Sequence, residues 1–400
     1  MFNKKLLLVF ALCFVVFLGA SPALAGEVGL QFNNKPLQGD VEPVIESGRT
    51  LVPLRAICDA LGANIVWEND SGTIKIQKSG KEIKLKLNSK EVYVNGQRAE
   101  NLEVPARSIE GRAMVPVRFV SETLGAQVNW DAQTRTVSII HEEKKDNMLP
   151  EELYAKSNQA MLNVKSYRFN GKGTTKTTTL GQTMEGEVTL EGAFKAPAEM
   201  YLKEVVKSAN EFIKMDIPIE MYVRNNKEVY TRVMDQDWQK IDIELPDNLN
   251  NEPGAQKQDP TQVLKELEEF GLIFSYGDEA VIEGKSYYVL HTRIDQEKYK
   301  NKLIETVDQM KLPAEDKGIV IDEAKMKEEL KNTYRNMKFD VSYKIFIDKQ
   351  TFYITRMEIG SYTKMKMAGF SGTKGEIVTY LDLVMNLTDF GQEVTMPQVN

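Results

Sequence analysis

The sequence predicts an α+β protein in two parts: a small duplicated α+β module, then one antiparallel sheet with helices on one face. Three observations predict it. An eight-residue motif returns 63 residues downstream. The second half is dominated by strand-like segments joined by short turn signals. Apolar residues make up 42% and charged residues 27% of the 400, a globular composition that can fill real cores.

Residues 1–25 read as an address. Lys4 and Lys5 precede an apolar run from Leu6 to Leu18, and Ala23-Leu24-Ala25 is a small-x-small cleavage site, so a signal peptide is expected with the mature start at Gly26. The run is shorter than the ~20 residues of a spanning helix. Cys13 lies within it without the small preceding residue of a lipoprotein site. The protein is expected to be exported, extracellular or associated with the cell envelope, and not integral to a membrane. Past the cleavage site Cys58 is the one remaining thiol, so no disulfide can form within the mature chain.

Residues 26–140 carry the duplication. Gly48-Arg49-Thr50-Leu51-Val52-Pro53-Leu54-Arg55 returns as Gly111-Arg112-Ala113-Met114-Val115-Pro116-Val117-Arg118. Leu61-Gly62-Ala63 and Trp67 return as Leu124-Gly125-Ala126 and Trp130. Upstream, Asn33-Asn34 and Pro43 align with Asn95-Gly96 and Pro105 at an offset of 62. In each unit Asn-rich turns mark a hairpin. Pro53 and Pro116 suit the first helical position. Leu54, Ile57, Cys58 and Leu61 then line one helix face, as do Val117, Val120, Ser121 and Leu124. Gly62 and Gly125 stand where a left-handed C-cap is needed. Strands resume at Ile65–Trp67 and Val128–Trp130. Each unit is hairpin, short helix, hairpin.

Arg55 and Arg118 are the candidate functional residues. A cation in the first helical turn opposes the macrodipole, so something else must hold it. One reading is an i,i+4 pair with Asp59 or Glu122 that anchors the structure. The other is bidentate recognition of a carboxylate, in the protein or on a ligand. Cys58 reads as a buried small residue, and Trp67 and Trp130 as core facing the helix. These motifs resemble the copper amine oxidase N-terminal-like domain of exported bacterial proteins, over residues ~28–140. The resemblance implies a non-catalytic accessory module. It does not carry copper over, because oxidase chemistry needs three His ligands and a modified Tyr in another domain, whereas this chain has His141 and His291 alone.

Residues 141–150 read as a polar linker, with His141 solvated at its edge. From 151 to 400 a helix through Leu153, Ser157, Ala160 and Met161 leads into a long meander. Further helices are expected at 261–270, 295–310 and 322–337, and a loop at 245–260. Hairpin connections favour a single antiparallel sheet with helices on one face. Val164-Lys165-Ser166-Tyr167, Gly284-Lys285-Ser286-Tyr287 and Ile347-Asp348-Lys349-Gln350 are similar to segments of LolA/LppX-type lipoprotein carriers. That resemblance implies a half-open barrel over ~150–390.

The remaining chemistry is sparse. A net charge of -7 argues against a nucleic-acid partner. Two Cys and two His exclude thiolate zinc clusters. Asp235-x-Asp237 lacks the rest of a calcium loop, and Gly369-Phe370-Ser371-Gly372 lacks the closing glycine of a nucleophile elbow. No cofactor, metal or catalytic residue is expected. Fifteen of the seventeen Met lie at 148 or later, which suits an adaptable apolar site. The expected function is non-enzymatic binding of a lipid-like or other apolar ligand in the C-terminal domain. The alternative is a structural or adhesive envelope protein whose repeats dock on wall polymer or protein.

Overall fold

The computed structural model describes residues 28–68, 71–179, 181–197, 199–208, 216–225, 228–234, 236–241, 260–309, 315–316, 319–320, 322–367 and 375–399. The leader at 1–25, the loop at 245–260 apart from Pro260, Asp235 and the Gly369–Gly372 stretch lie outside them.

The first part runs β1 (Gly29–Phe32), β2 (Lys35–Pro36), β3 (Val44–Glu46), β4 (Arg49–Pro53), α1 (Leu54–Leu61), β5 (Asn64–Glu68), β6 (Thr73–Lys78) and β7 (Lys81–Lys86). It continues through β8 (Val92–Val94), β9 (Gln97–Arg98), β10 (Arg107–Ile109), β11 (Arg112–Pro116), α2 (Val117–Thr123), β12 (Gln127–Asp131) and β13 (Thr136–Ile140). A central sheet of order β10-β11-β4-β3 joins the two halves. In it Pro53 pairs with Met114, Val52 with Val115 and Leu51 with Pro116. Each pair is the other's counterpart at an offset of 63, the register a local twofold produces. Both prolines close a strand, and each helix begins one residue later.

The apolar stripe of α1, with Leu54, Ile57, Cys58 and Leu61, is fully buried, and Val117, Val120 and Ser121 of α2 are buried likewise. Cys58 packs as a small hydrophobe, and burial raises its thiol well above its ordinary value. The two tryptophans correct the expectation. Trp67 and Trp130 are 41% and 40% exposed, not core. Their strands, β5 and β12, are edge strands of their sheets.

The second part runs α3 (Pro150–Leu162), β14 (Ser166–Thr179), β15 (Gln182–Lys195), β16 (Glu199–Ser208), β17 (Asp216–Arg224), β18 (Glu228–Val233), β19 (Gln239–Ile241), α4 (Pro260–Glu269), β20 (Leu272–Tyr276), β21 (Ala280–Ile282) and β22 (Lys285–Ile294). Then come α5 (Gln296–Gln309), a small hairpin of β23 (Glu315–Asp316) and β24 (Ile319–Val320), α6 (Glu323–Asn336), β25 (Lys338–Asp348), β26 (Ile354–Met367) and β27 (Gly375–Thr388). The three later helices fall where periodicity places them, because Asp295 and Asp322 cap α5 and α6 by accepting backbone N–H bonds.

One antiparallel sheet of order β19-β18-β17-β16-β15-β14-β27-β26-β25-β22-β20 curls into a half-barrel, with β21 on the side of β22. Strands β14 and β27 approach closely near the middle of the sheet. A Cβ on Gly173 of β14 would lie 2.1 Å from the Asp382 carbonyl oxygen of β27, so only glycine fits there. Inner-facing residues alternate along every strand: Phe169, Leu190, Leu202, Met221, Met357, Leu383 and Met385 form one core with Leu153 and Tyr154 of α3 and Leu267 of α4. The Tyr299 ring of α5 meets Phe339 of β25 edge-on at 5.5 Å on that same face.

The outer face is covered where the N-terminal module docks. Ile273 of β20 belongs to the module's own apolar core. Ser275 donates to the Ala60 carbonyl and Lys344 to Asn64 Oδ1 at 2.9 Å. Gly62 caps α1 at φ +69°, and a Cβ there would fall 1.9 Å from the Tyr276 carbonyl oxygen. This glycine therefore serves both the helix end and the docking.

The connector is tied down rather than solvated. His141 is 15% exposed, with Nε2 3.1 Å from Lys78 Nζ. Lys78, itself buried, donates to Glu143 Oε2 at 2.9 Å and to the Leu61 carbonyl at 2.5 Å. Lys145 donates to the Gly277 carbonyl at 2.7 Å, and Tyr288 donates to Asp146. Burial pushes the Glu143 carboxyl up, but hydrogen bonds from His141 and Lys78 and the nearby ammonium charges outweigh it and hold the group at about 2. A carboxyl depressed on folding stabilises fully above its unfolded pKa and loses that contribution as pH falls through the folded one. Thermal unfolding should therefore show stability lost between about pH 4.5 and 2, and Glu143→Gln should lower the melting temperature at pH 7 while flattening that acid limb.

Candidate functional site

Two surfaces are candidates for binding: the trough inside the half-barrel and the region around Arg55 and Arg118.

The trough follows from strand parity. Phe169, Gly171, Gly173 and Thr175 of β14 face inward, opposite Gly192, Leu190, Val188 and Gly186 of β15. Across from these, β16 presents Leu202, Glu204 and Val206, followed by Met221 and Ile219 of β17. Helices α3 and α4 pack on the end holding Phe169, Met200 and Val223. Farther along, Thr175, Glu204, Val206 and Ile219 are only half-buried. Glu204 is a carboxyl on an otherwise apolar face, and desolvation raises its pKa. Motif reading missed it. The signal was present in the alternation Met200, Leu202, Glu204, Val206, where a charge interrupts the apolar side of a strand.

The sequence-selected arginines are not brought together. Arg118 lies 3.6 Å from Glu122 as the i,i+4 expectation has it, on an exposed surface. Arg55 is also exposed, but Asp59 is taken by another residue. Arg293 of β22, 2% exposed, donates from Nη1 to Asp59 Oδ2 at 2.9 Å. Its Nη2 donates to the Gln38 carbonyl at 2.9 Å and to Asp340. Arg55 instead reaches over β26, with Nη1 3.8 Å from where a Cβ on Gly360 would stand. Burial raises the Asp59 carboxyl to about 6 against the pull of Arg293, and raises Asp340 in the same way. Beside this cluster Arg112 pairs with Asp40, its guanidinium 5.2 Å from the Tyr362 ring and 5.0 Å from Tyr380. Arg293 and Asp340 carry no local motif. The one sequence trace is the near-continuous run Tyr287–Leu290, which marks a strand covered on both faces.

His291 on the outer face of β22 is buried, and desolvation with the charges of Lys344 and Lys78 lowers its pKa to about 3. Among the described residues no group of three His, Cys, Asp or Glu could hold a metal ion, and no helix is long and apolar enough to cross a membrane.

The model of the copper amine oxidase N-terminal domain matches residues 31–139 as one stretch, and that described as a family of unknown function (DUF6612) matches residues 150–398. No curated protein matches the chain. Among solved structures it is similar to the Mycobacterium tuberculosis lipoprotein LppX, at 12% identity over 62% of this chain and 98% of that one, TM-score 0.24. LprF from Mycobacterium bovis gives 13% identity over 62% and 95%, TM-score 0.26. A LolA superfamily protein from Nitrosomonas europaea gives 12% over 60% and 94%, TM-score 0.16.

The arginine cluster generates a test of how the two parts depend on each other. Removing one partner of a buried ion group leaves uncompensated charge, at a cost of about 3–5 kcal/mol. Arg293→Met should therefore lower the melting temperature sharply. Adding Asp59→Asn should restore part of the loss, because it removes one of the two stranded carboxylates; differential scanning calorimetry of the two variants checks both steps.

Proposed function

This chain belongs to the family of unknown function (DUF6612) through residues 150–398, more than half its length, and we propose that it is an exported, envelope-associated, non-enzymatic binding protein whose half-barrel holds an apolar ligand. The observation that carries this reading is the far end of the inner face, where Val206 and Ile219 stand half-buried beside the carboxyl of Glu204 and next to the buried Val188 and Leu190. Apolar area left in water costs ~25 cal/mol per Å², so such a face favours an occupant. Glu204, with its raised pKa, gives the occupant's polar end a hydrogen-bond donor when protonated and an anionic partner when ionised.

The ligand class that fits is an amphiphile: a chain or ring system along the trough and a neutral or cationic polar group at Glu204. Export rests on the leader read from residues 1–25. Methionines at 200, 221, 357 and 385 line the buried part of the same core, and their unbranched side chains can repack around ligands of different shape.

A ligand that binds only the folded state at a hundred times its Kd stabilises by about 2.7 kcal/mol. A thermal-shift panel of fatty acids, fatty amines and phospholipids should thus raise the melting temperature of the intact protein. Val206→Arg should abolish the shift, and Glu204→Gln should reduce it most for amines. If no amphiphile moves the transition, the trough is not a ligand site.

A further inference from the structure

Arg55 and Arg118 occupy corresponding places on two strand–helix units, yet their surroundings differ. Around the first unit a groove is filled by the C-terminal domain of the same chain. Arg293 reaches Asp59 and the Gln38 carbonyl. The Gln296 backbone N–H donates to Gln38 Oε1 at 2.8 Å, and its side chain donates to the Gly39 carbonyl at 3.1 Å. Arg112 closes the rim against the Tyr362 and Tyr380 rings.

At the offsets of 62 and 63, the counterparts of Gln38, Gly39, Asp59 and Arg112 are Glu100, Asn101, Glu122 and Arg49. All four line an open groove of about 680 Å³ beside Arg118 and Trp130. Glu122 is 51% exposed, with Arg118 at 3.6 Å as its ion-pair partner. Arg49 pairs with Glu103 on the rim. Where a Cβ on Gly62 would overlap the docked strand, one on Gly125 meets nothing within 4 Å. The groove also exposes Ile45 and Trp130, at 44% and 40%.

We propose that this second groove is a docking site for a segment of another polypeptide, an extended strand end that presents an arginine to Glu122. The argument is quasi-equivalence within one molecule: the same backbone frame, with acceptors at the same positions, already seats a guanidinium and the strand end that carries it. The incoming guanidinium bonds the Glu122 carboxylate as Arg293 bonds Asp59, and the Glu100 carbonyl stands where the Gln38 carbonyl accepts. Arg118 then leaves Glu122, as Arg55 lies beside Gly360 while Arg293 holds Asp59. An aromatic side chain of the partner stacks on Arg49 as the two tyrosines stack on Arg112. Arg118 is in this reading a placeholder that keeps Glu122 paired until the partner arrives, not a carboxylate receptor.

Panning a displayed random-peptide library on the intact protein tests this directly. Enriched sequences should carry an arginine beside apolar or aromatic residues. Glu122→Lys should weaken a selected peptide at least tenfold without shifting the melting temperature, and Arg118→Ala should bind it at least as tightly as the parent. The proposal is overturned if no sequence is enriched over the Glu122→Lys protein, or if enriched peptides lack a basic residue. A tenfold loss with Arg118→Ala would overturn it too, because an acidic ligand would then be meeting Arg118. Soluble wall oligosaccharides binding in a Glu122-dependent way would assign the groove to polymer instead. Self-association lost in Glu122→Lys, seen by sedimentation, would assign it to a second copy.

Discussion

A guanidinium does not give up its proton inside a protein, so burying Arg293 obliges the structure to supply carboxylates and carbonyls around it. No single element can do so. Asp340 comes from the neighbouring strand of the same sheet, Asp59 from the module's first helix and the Gln38 carbonyl from the loop after its first hairpin. The cation is solvated only when the two parts of the chain are together. This one requirement fixes which face of the half-barrel the module covers and which turn of α1 meets β22. It also explains why Gly62 must lack a side chain, since the helix end and the Tyr276 carbonyl share the same space. The connector acts with it, because Lys78, Glu143 and Lys145 bond across the same junction.

The half-barrel therefore has two differently occupied faces. Outside, the stretch from β20 to β27 is covered by the module; inside, helices pack over one end. What remains is the inner surface near β15 to β17, where Val206, Ile219 and the carboxyl of Glu204 are half-buried. Close strand approach at Gly173 leaves no room for a side chain there. Concavity, apolar lining and a titratable group are the features on which the proposed binding role rests.

The two strand–helix units of the module are used unequally. One copy of the motif has its groove consumed by intramolecular docking. The other keeps the same acceptor frame and leaves it open. The acidic residues differ accordingly: Asp59 is buried under Arg293, whereas Glu122, one methylene longer, stays at the surface beside Arg118. A short acid suits a fixed, enclosed cation, and a longer one suits a contact that forms and breaks.

Local order was legible in the sequence because it is set by local physics. The positions of α5 and α6, the strand–proline–helix motif, the buried face of α1 and the single antiparallel sheet follow from periodicity, capping and turn residues, all of which act within a few positions. The burial of Cys58 followed from the same stripe. What periodicity could not reach were contacts between residues hundreds of positions apart. The two tryptophans read as core because helix and strand lie close in sequence, but sheet order put their strands at edges. His141 read as solvated because its neighbours are polar, but those same polar groups pair with Lys78 from another hairpin. Arg55 and Asp59 sit four residues apart and read as a pair, yet a buried arginine from residue 293 offers that carboxylate a stronger partner than an exposed neighbour can. Sequence decided the elements and the faces they present; tertiary structure alone decided which charges meet, because Coulomb attraction becomes strong only where packing has removed the water.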